Sequence, residues 1–473
     1  MNGGPSVNTS ISNNSTIIVP AESGRLHGVE IASEATGFTG TGYVKGTHKD
    51  GDWFEVDVHI AEAGHYNLGI RYAIPDGRRT NAICIDGDFY GYIISSPTEG
   101  FITEHQCTLR LTEGVHTVTI LKAWDNGADV DCFMFTRTEA PVLDRSPRKL
   151  INPNASAETV SLWNYLNSLF GNATLTGQHT ASSFAPAKEF EYIRATTGEQ
   201  PAIRGFDLLS YTLATETDEP TAHKLLEIEE NKGSIETAIE WTTVHNGIVT
   251  LTWHWYAPTG GKDKTFYTKN TDFNLPLALT PGTIEHELLL ADMDCVAEQL
   301  KKLRDHNVPV LWRPLHEADG AWFWWGAFGA EPCKQLWRLL YDRFTNLHQL
   351  NNLIWVWNSS VQEWYPGEEE TDIDSCDIYA PSGNYGPVRK HFELTDALAG
   401  GTKMIAFGEN GAIPDPDQLI ATSTPWLWYM TWGEGFVLDG KSTTDEQLRK
   451  IYDHPSSITL GRLPNWRHFG RSE

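Results

Sequence analysis

Two regimes of hydrophobic patterning divide the chain. Between residues 17 and 137, apolar and polar positions alternate over short runs: Trp53–Ile60, His65–Tyr72, Ala82–Ile85, Thr108–Leu111 and His116–Leu121. Turn dipeptides such as Asp76-Gly77, Asp86-Gly87 and Glu113-Gly114 separate them. Period-two alternation at that spacing predicts an all-β sandwich, each strand with one face in a core and one in water. The stretch 138–155, rich in Pro, Arg and Asn, reads as a linker. Residues 1–16 are polar and rich in Asn and Ser, which reads as a disordered segment without a signal-peptide pattern.

From 156 to 473 the pattern changes to apolar runs alternating with amphipathic ones. Eight runs read as strands: Ala173–Gln178, Ala202–Leu208, Ile248–Trp255, Val308–Leu315, Leu353–Asn358, Cys376–Tyr379, Lys403–Gly408 and Leu427–Trp432. Helical periodicity lies between most of them, clearest over Ile284–His306 and Lys334–Leu350. On the first of these Leu288, Met293, Val296, Leu300 and Leu303 mark an apolar face. Eight such alternations fit a (β/α)8 TIM barrel, whose working groups sit at the C-terminal ends of the strands. A doubly wound open sheet is the competing arrangement. It lacks a phosphate loop, because Gly40, Gly42 and Gly46 have the wrong spacing and fall in the β unit.

Composition narrows the partners. Lys and Arg number 36 against 62 Asp and Glu, and a net charge of −26 speaks against nucleic acid. No apolar run is long enough to cross a membrane. The six cysteines contain no CxxC pair and read as small buried hydrophobes. Tryptophan is the unusual residue: of 18, only Trp53 and Trp124 precede residue 140. Roughly a third of the barrel tryptophans are expected to line a cleft, with the rest in the core.

Chemistry concentrates at two strand ends. The fourth apolar run stops at Arg313, His316 and Glu317, and the seventh stops at Glu409. Two glutamates at the same end of opposite strands would face each other across the barrel mouth, as glycoside hydrolysis requires. A zinc protease reading fails because Gly320 stands where HExxH needs its second His, and no Gly-x-Ser-x-Gly elbow is present.

The segment Trp312-Arg-Pro-Leu-His-Glu317-Ala-Asp-Gly-Ala-Trp322-Phe-Trp-Trp-Gly326 resembles the acid/base motif of glycoside hydrolase family 26, the β-mannanase family. Thr176–His179, Trp253–Trp255, Asn352–Asn358, Trp364–Gly367 and Asp377–Tyr379 add matches in the family's order. The front unit resembles carbohydrate-binding module family 35 through Pro20-Ala-Glu22, Gly42–Val44, Ile70–Ala73 and Asp131. The resemblance implies an extracellular, monomeric endo-β-1,4-mannanase acting on β-mannan polysaccharides and manno-oligosaccharides by two-step retention. Lichenase-type action on mixed-linkage glucan, or action on β-1,3-xylan, is the alternative within the family; a dead barrel that only binds carbohydrate is the alternative outside it.

The same resemblance assigns roles. Glu317 would be the acid/base and Glu409 the nucleophile, with carboxyl groups ~5–5.5 Å apart. His316 would orient Glu317, Tyr379 would hydrogen-bond the nucleophile, and Arg313 would hold a strand-end carboxylate. His254 and Trp322 would contact the sugar beside the scissile bond, with Trp432 as a platform beneath it. Catalysis would need no cofactor. In the module Trp124 and Asn126 would meet sugar, and Glu22 and Asp131 would share a structural calcium with backbone carbonyls, although Pro20 stands where the family carries an acid. The loop Ala257–Tyr267 holds no Trp, so few distal subsites are expected.

Overall fold

The computed structural model describes residues 16–180, 187–215, 221–261, 263–433 and 435–471. The expected disordered start falls largely on residues 1–15, outside that range, while Thr16 opens a strand (Thr16–Pro20). The chain divides into two compact units at Val142/Leu143.

The first unit is a sandwich of two antiparallel sheets. One has the order Arg25–His27, Trp53–Ile60, Gly114–Lys122, Arg79–Ile85, Asp88–Ser95. The other is built on Asp129–Thr138, which pairs with Thr16–Pro20, Tyr43–Val44 and Gly64–Ala73, and Gly64–Ala73 in turn with Ile102–Leu111. Inward residues of alternating strands, among them Phe54, Val56, Leu68, Ile70, Val118, Ile120, Phe133 and Phe135, form one core. Asp86 and Gly87 both have positive φ, 53° and 90°, the geometry that a two-residue hairpin turn demands between Arg79–Ile85 and Asp88–Ser95.

The second unit holds a seven-stranded parallel sheet. Its strands, numbered here in barrel order, are Gly177–His179, Ile203–Asp207, Ile248–Thr252, Val310–Arg313, Leu353–Asn358, Ile373–Asp377 and Met404–Glu409. The expected eighth strand, Leu427–Trp432, is not a continuous ladder. It closes the barrel through backbone hydrogen bonds to both open edges: Thr431 N–H to Gly177 O and Tyr429 N–H to Leu175 O on one side, Phe407 N–H to Trp428 O and Asn410 N–H to Met430 O on the other. Each edge is thus satisfied, and the (β/α)8 architecture holds.

Helices cover the outside. The longest, Ile284–Asp305, is capped by the Thr283 side chain, which accepts from His286 N–H. Its buried stripe is Leu289, Asp292, Met293, Val296, Ala297, Leu300 and Leu303. Leu288, expected on this face, is 36% exposed. Asp292 takes the inward position instead because it accepts from the Trp255 indole and the Leu213 N–H, both at 2.9 Å. The expected helix Lys334–Leu350 is Ala330–Tyr341 followed by a wider turn over Asp342–Leu347.

Two further expectations change. Residues 143–155 are not a free linker. Ile151 N–H donates to Asp372 at 2.8 Å, the Trp163 indole donates to Arg148 O at 2.8 Å, and Asn152 is buried, so the segment packs as the base of the barrel unit. The tryptophans are also mostly structural. Of the sixteen after residue 140, all but Trp322 and Trp432 are buried. Many satisfy the indole N–H on a carbonyl that only a fold can supply, such as Trp324 on Trp255 O, Trp325 on His316 O and Trp337 on Glu370 O. All six cysteines are free thiols, and all but Cys295 are buried.

Candidate active site

Each of the seven barrel strands ends in a polar residue: His179, Asp207, Thr252, Arg313, Asn358, Asp377 and Glu409. Parallel pairing brings these ends to one rim, where apolar ladders give way to a polar network.

Beyond Arg313, Pro314 lacks the N–H that would continue the ladder. The chain then turns through left-handed backbone at Leu315, Glu317 and Ala321, with φ of 55°, 54° and 57°. Three non-glycine residues in that region within seven positions store strain, and the strain lies where Glu317 is presented. Asn358 Oδ1 accepts the Glu317 N–H at 3.0 Å, which fixes the turn from the next strand. The Trp322 indole donates to Glu317 Oε2 at 2.8 Å.

Glu409 faces this turn. Arg313 donates to Glu409 Oε1 and to Asp377 Oδ2, the latter at 2.7 Å, and the Tyr379 hydroxyl donates to Glu409 Oε2 at 2.7 Å. Asn358 Nδ2 donates to Asp377 Oδ1 at 2.7 Å. One oxygen from each of Glu317, Asp377 and Glu409 lies within 4.8 Å of the others, with the Arg313 guanidinium bridging two of the three carboxylates. Burial, reinforced by the charges of Glu409 and Asp377, pushes the Glu317 carboxyl well above the ordinary range, against the pull of the Trp322 N–H and Arg313. Burial also raises Asp377, with Arg313 opposing. Glu409 receives donors on both oxygens, from Arg313 and from Tyr379.

The remaining predicted residues separate into cleft and support. Trp322 is 42% exposed at the rim. The Trp432 ring lies 4.7 Å from His179 and 5.7 Å from His254 and is half-buried. His316 does not reach the Glu317 side chain: it is 1% exposed, and its two ring nitrogens meet His254 and Thr252. It supports His254 and has no route to a substrate. Arg313, 2% exposed, likewise lies beneath the cleft rather than in it. Asp207, Asn358 and Asp377 were given no role from the sequence, although Asn358 and Asp377 fall in quoted motifs and each of the three terminates its strand; that position was the available signal.

In the module, Trp124 is 57% exposed on the loop after Gly114–Lys122, with its ring 4.5 Å from Tyr92, and Asn126 is exposed beside it in sequence. The turn 37–41 grips both acids of the expected calcium site. Thr41 donates to Glu22 Oε1, and Thr39 donates to Asp131. Glu22 Oε2 is buried without a hydrogen-bond partner, which suits a cation. Asp131 has Arg71 Nε 2.9 Å from Oδ2 without hydrogen-bond alignment.

Comparison with known proteins agrees with this geometry. Residues 151–462 match Glycosyl hydrolase family 26, and residues 17–137 match Carbohydrate binding module (family 35). The chain is 36% identical to a mannan endo-1,4-beta-mannosidase of Thermothelomyces thermophilus, over 94% of this chain and 90% of that protein. It is 33% identical to mannan endo-1,4-beta-mannosidase B of Piromyces sp, over 94% and 77%. The crystal structure of the Podospora anserina GH26-CBM35 β-(1,4)-mannanase superposes with a TM-score of 0.65 at 35% identity, covering 96% of this chain and all of that one. A ruminal GH26 endo-β-1,4-mannanase superposes with a TM-score of 0.68 at 28% identity, covering 95% and 98%. A barrel whose strand ends converge on two glutamates, matched along its length to these hydrolases, leaves one assignment: the chain belongs to glycosyl hydrolase family 26.

Proposed function

We propose that the protein is an endo-β-1,4-mannanase that cleaves mannan, glucomannan and galactomannan with retention of configuration. The observation that carries this reading is the spacing of the carboxylates. Oxygens of Glu317 and Glu409 lie within 4.8 Å of each other, which favours the ~5–5.5 Å carboxyl separation of retaining pairs over the ~6.5–9.5 Å of inverting ones. In the first step Glu317 gives its proton to the glycosidic oxygen while a Glu409 oxygen bonds to the anomeric carbon. In the second, ionised Glu317 takes a proton from water, whose oxygen displaces Glu409. Arg313 and Tyr379 hold the nucleophile in line, and Trp432 and Trp322 offer ring faces to the sugars on either side.

A polymer substrate is too large to enter a cell, so the enzyme works outside it, as a monomer. Reducing-sugar release from mannan, glucomannan, galactomannan, lichenan and β-1,3-xylan tests the substrate class, and proton NMR of the first product tests stereochemistry. Activity confined to lichenan or xylan overturns the mannanase reading, and an α-configured first product overturns retention.

In the module, the exposed Trp124 ring with Asn126 is the sugar contact, and Glu22 and Asp131, gripped by the same turn, would hold a structural calcium. Differential scanning of the full chain in millimolar calcium and in EDTA is expected to separate two melting temperatures. Coincident curves remove calcium from the module.

A further inference from the structure

Asp207 closes the second barrel strand and has no part in the two steps above. Its Oδ1 accepts the backbone N–H groups of Leu209 at 2.8 Å and His254 at 3.1 Å, and its Oδ2 takes His254 Nδ1. On the other edge of that ring, His254 Nε2 lies 3.2 Å from His316 Nε2. His316 Nδ1 lies 3.1 Å from the Thr252 hydroxyl, which stands 3.3 Å from the Arg313 carbonyl. All four imidazole nitrogens are therefore committed to protein partners. His254 Nδ1, facing a carboxylate, carries a hydrogen.

Two proton arrangements satisfy this chain with the same heavy-atom positions. In one, Thr252 donates to His316, His316 donates to His254, and both rings are neutral. In the other, His254 donates to His316, His316 donates to Thr252, and Thr252 donates to the Arg313 carbonyl. The second holds one proton more than the first.

The groups around the pair select between them. His316 faces Arg313, His179 and His254 beneath the rings of Phe323 and Trp325; burial and positive neighbours hold it neutral. Burial also opposes a charge on His254, and Arg313 adds to that. Asp207, by charge and hydrogen bond, outweighs them together with Glu409, so His254 is raised. Glu227 contributes a further carboxylate nearby. Phe266, Phe323 and Trp432 enclose the ring without adding charge.

We propose that Asp207 and His316 are positioning residues that keep a single proton shared on the His254 side of this pair, so that an imidazolium with no free N–H borders the cleft. His254 then acts on the reaction by charge and shape rather than by hydrogen-bonding a sugar hydroxyl. Its charge offsets one of the carboxylates crowded at the rim. A second proton would set two N–H groups against each other at the His254–His316 contact, so the arrangement has an acid limit as well as an alkaline one.

The kinetic half of this inference rests on the glycosidase reading; the spectroscopic half does not. Nitrogen NMR of the full chain with labelled histidine, His254 being assigned by its loss in His254→Gln, is expected to show both His254 nitrogens protonated at pH 6. In Asp207→Asn, which keeps the shape and removes the charge, that proton should leave about 1–3 pH units lower. The kcat deficit of this variant should grow as pH rises, with KM changing less than kcat. His316→Leu should behave alike, and His316→Gln, whose amide can accept from His254 and donate to Thr252, should recover the profile. A neutral His254 in the unmodified chain at pH 6 overturns the proposal, and so does an Asp207→Asn deficit equal at every pH. If Glu317→Gln and Glu409→Gln both keep full activity, the glycosidase reading falls while the NMR result still decides the proton.

Discussion

Glu409→Ala and Glu317→Ala should each lose about 10²–10⁴-fold in kcat on mannan, but they should fail differently. Without Glu409 no covalent intermediate forms, so a substrate with a good leaving group such as a dinitrophenyl glycoside gains nothing. Without Glu317 the first step lacks only its proton donor, and a leaving group that needs none restores it. The second step then lacks a base, so intermediate accumulates as a burst, and azide, which needs no base, should speed turnover by capturing it. The pH dependence has a definite sign. Burial and the charges of Glu409 and Asp377 raise the Glu317 carboxyl, so the acid form persists into the working range and kcat falls as pH climbs through that raised value. Asp377→Asn removes one of the charges responsible, so the alkaline limb should move to lower pH. Azide rescue in the Glu409 variant instead of the Glu317 variant would exchange the two roles, and full activity in both would end the assignment.

The barrel was readable because its strands are buried on both faces, so they stand out as apolar runs of strand length, and Leu353–Asn358 was bounded as it lies. Boundaries drifted where a local rule intervened. Val308–Leu315 shortened to Val310–Arg313 because Pro314 ends the ladder and Leu315 turns left-handed. Leu427–Trp432 was located but not as a ladder, since pairing at the closing seam depends on the curvature of the whole sheet. On the long helix the inward position fell to Asp292 because of Trp255, which is distant in sequence. Periodicity weighs each residue by its own polarity and cannot register such a partner.

The site divides in the same way. A glutamate ending an apolar run is a one-dimensional signal, and Glu317 and Glu409 gave it. What His316 touches is not, because its partners Thr252 and His254 lie on another strand end and its ring has two faces to choose from. Tryptophan density misled in part for a related reason. Roughly a third of the barrel tryptophans were expected at the cleft, yet more of them are buried than that share allows, and indoles such as Trp253 and Trp255, stacked at 3.9 Å, fill the layer between sheet and helices. Among the barrel tryptophans only Trp322 and Trp432 keep the exposure that stacking on a sugar needs.

Arg313→Met tests the support beneath the chemistry, and its effect should appear in stability as much as in rate. The guanidinium is the direct charge partner of both Asp377 and Glu409, all three side chains being almost wholly buried. Methionine keeps most of the volume and leaves two buried carboxylates facing each other, a loss of about 3–5 kcal/mol for a broken buried pair. Burial already raises Asp377 to about 7 with Arg313 opposing, so without the guanidinium it should titrate higher still, and that fixes the pH trend. A group raised on folding adds no penalty below its unfolded pKa, near about 4, and a growing one as pH climbs toward its folded value. The two chains should therefore share that penalty up to about pH 7, and denaturant midpoints of Arg313→Met should fall further below those of the unmodified chain as pH climbs beyond it. Arg313→Lys should recover part of the stability and little of the activity, because an ammonium supplies the charge but not the fork that holds Glu409 and Asp377 in one plane. A midpoint deficit independent of pH would mean that the lost term is packing of the arginine stem, and Glu409 would then be positioned mainly by Tyr379.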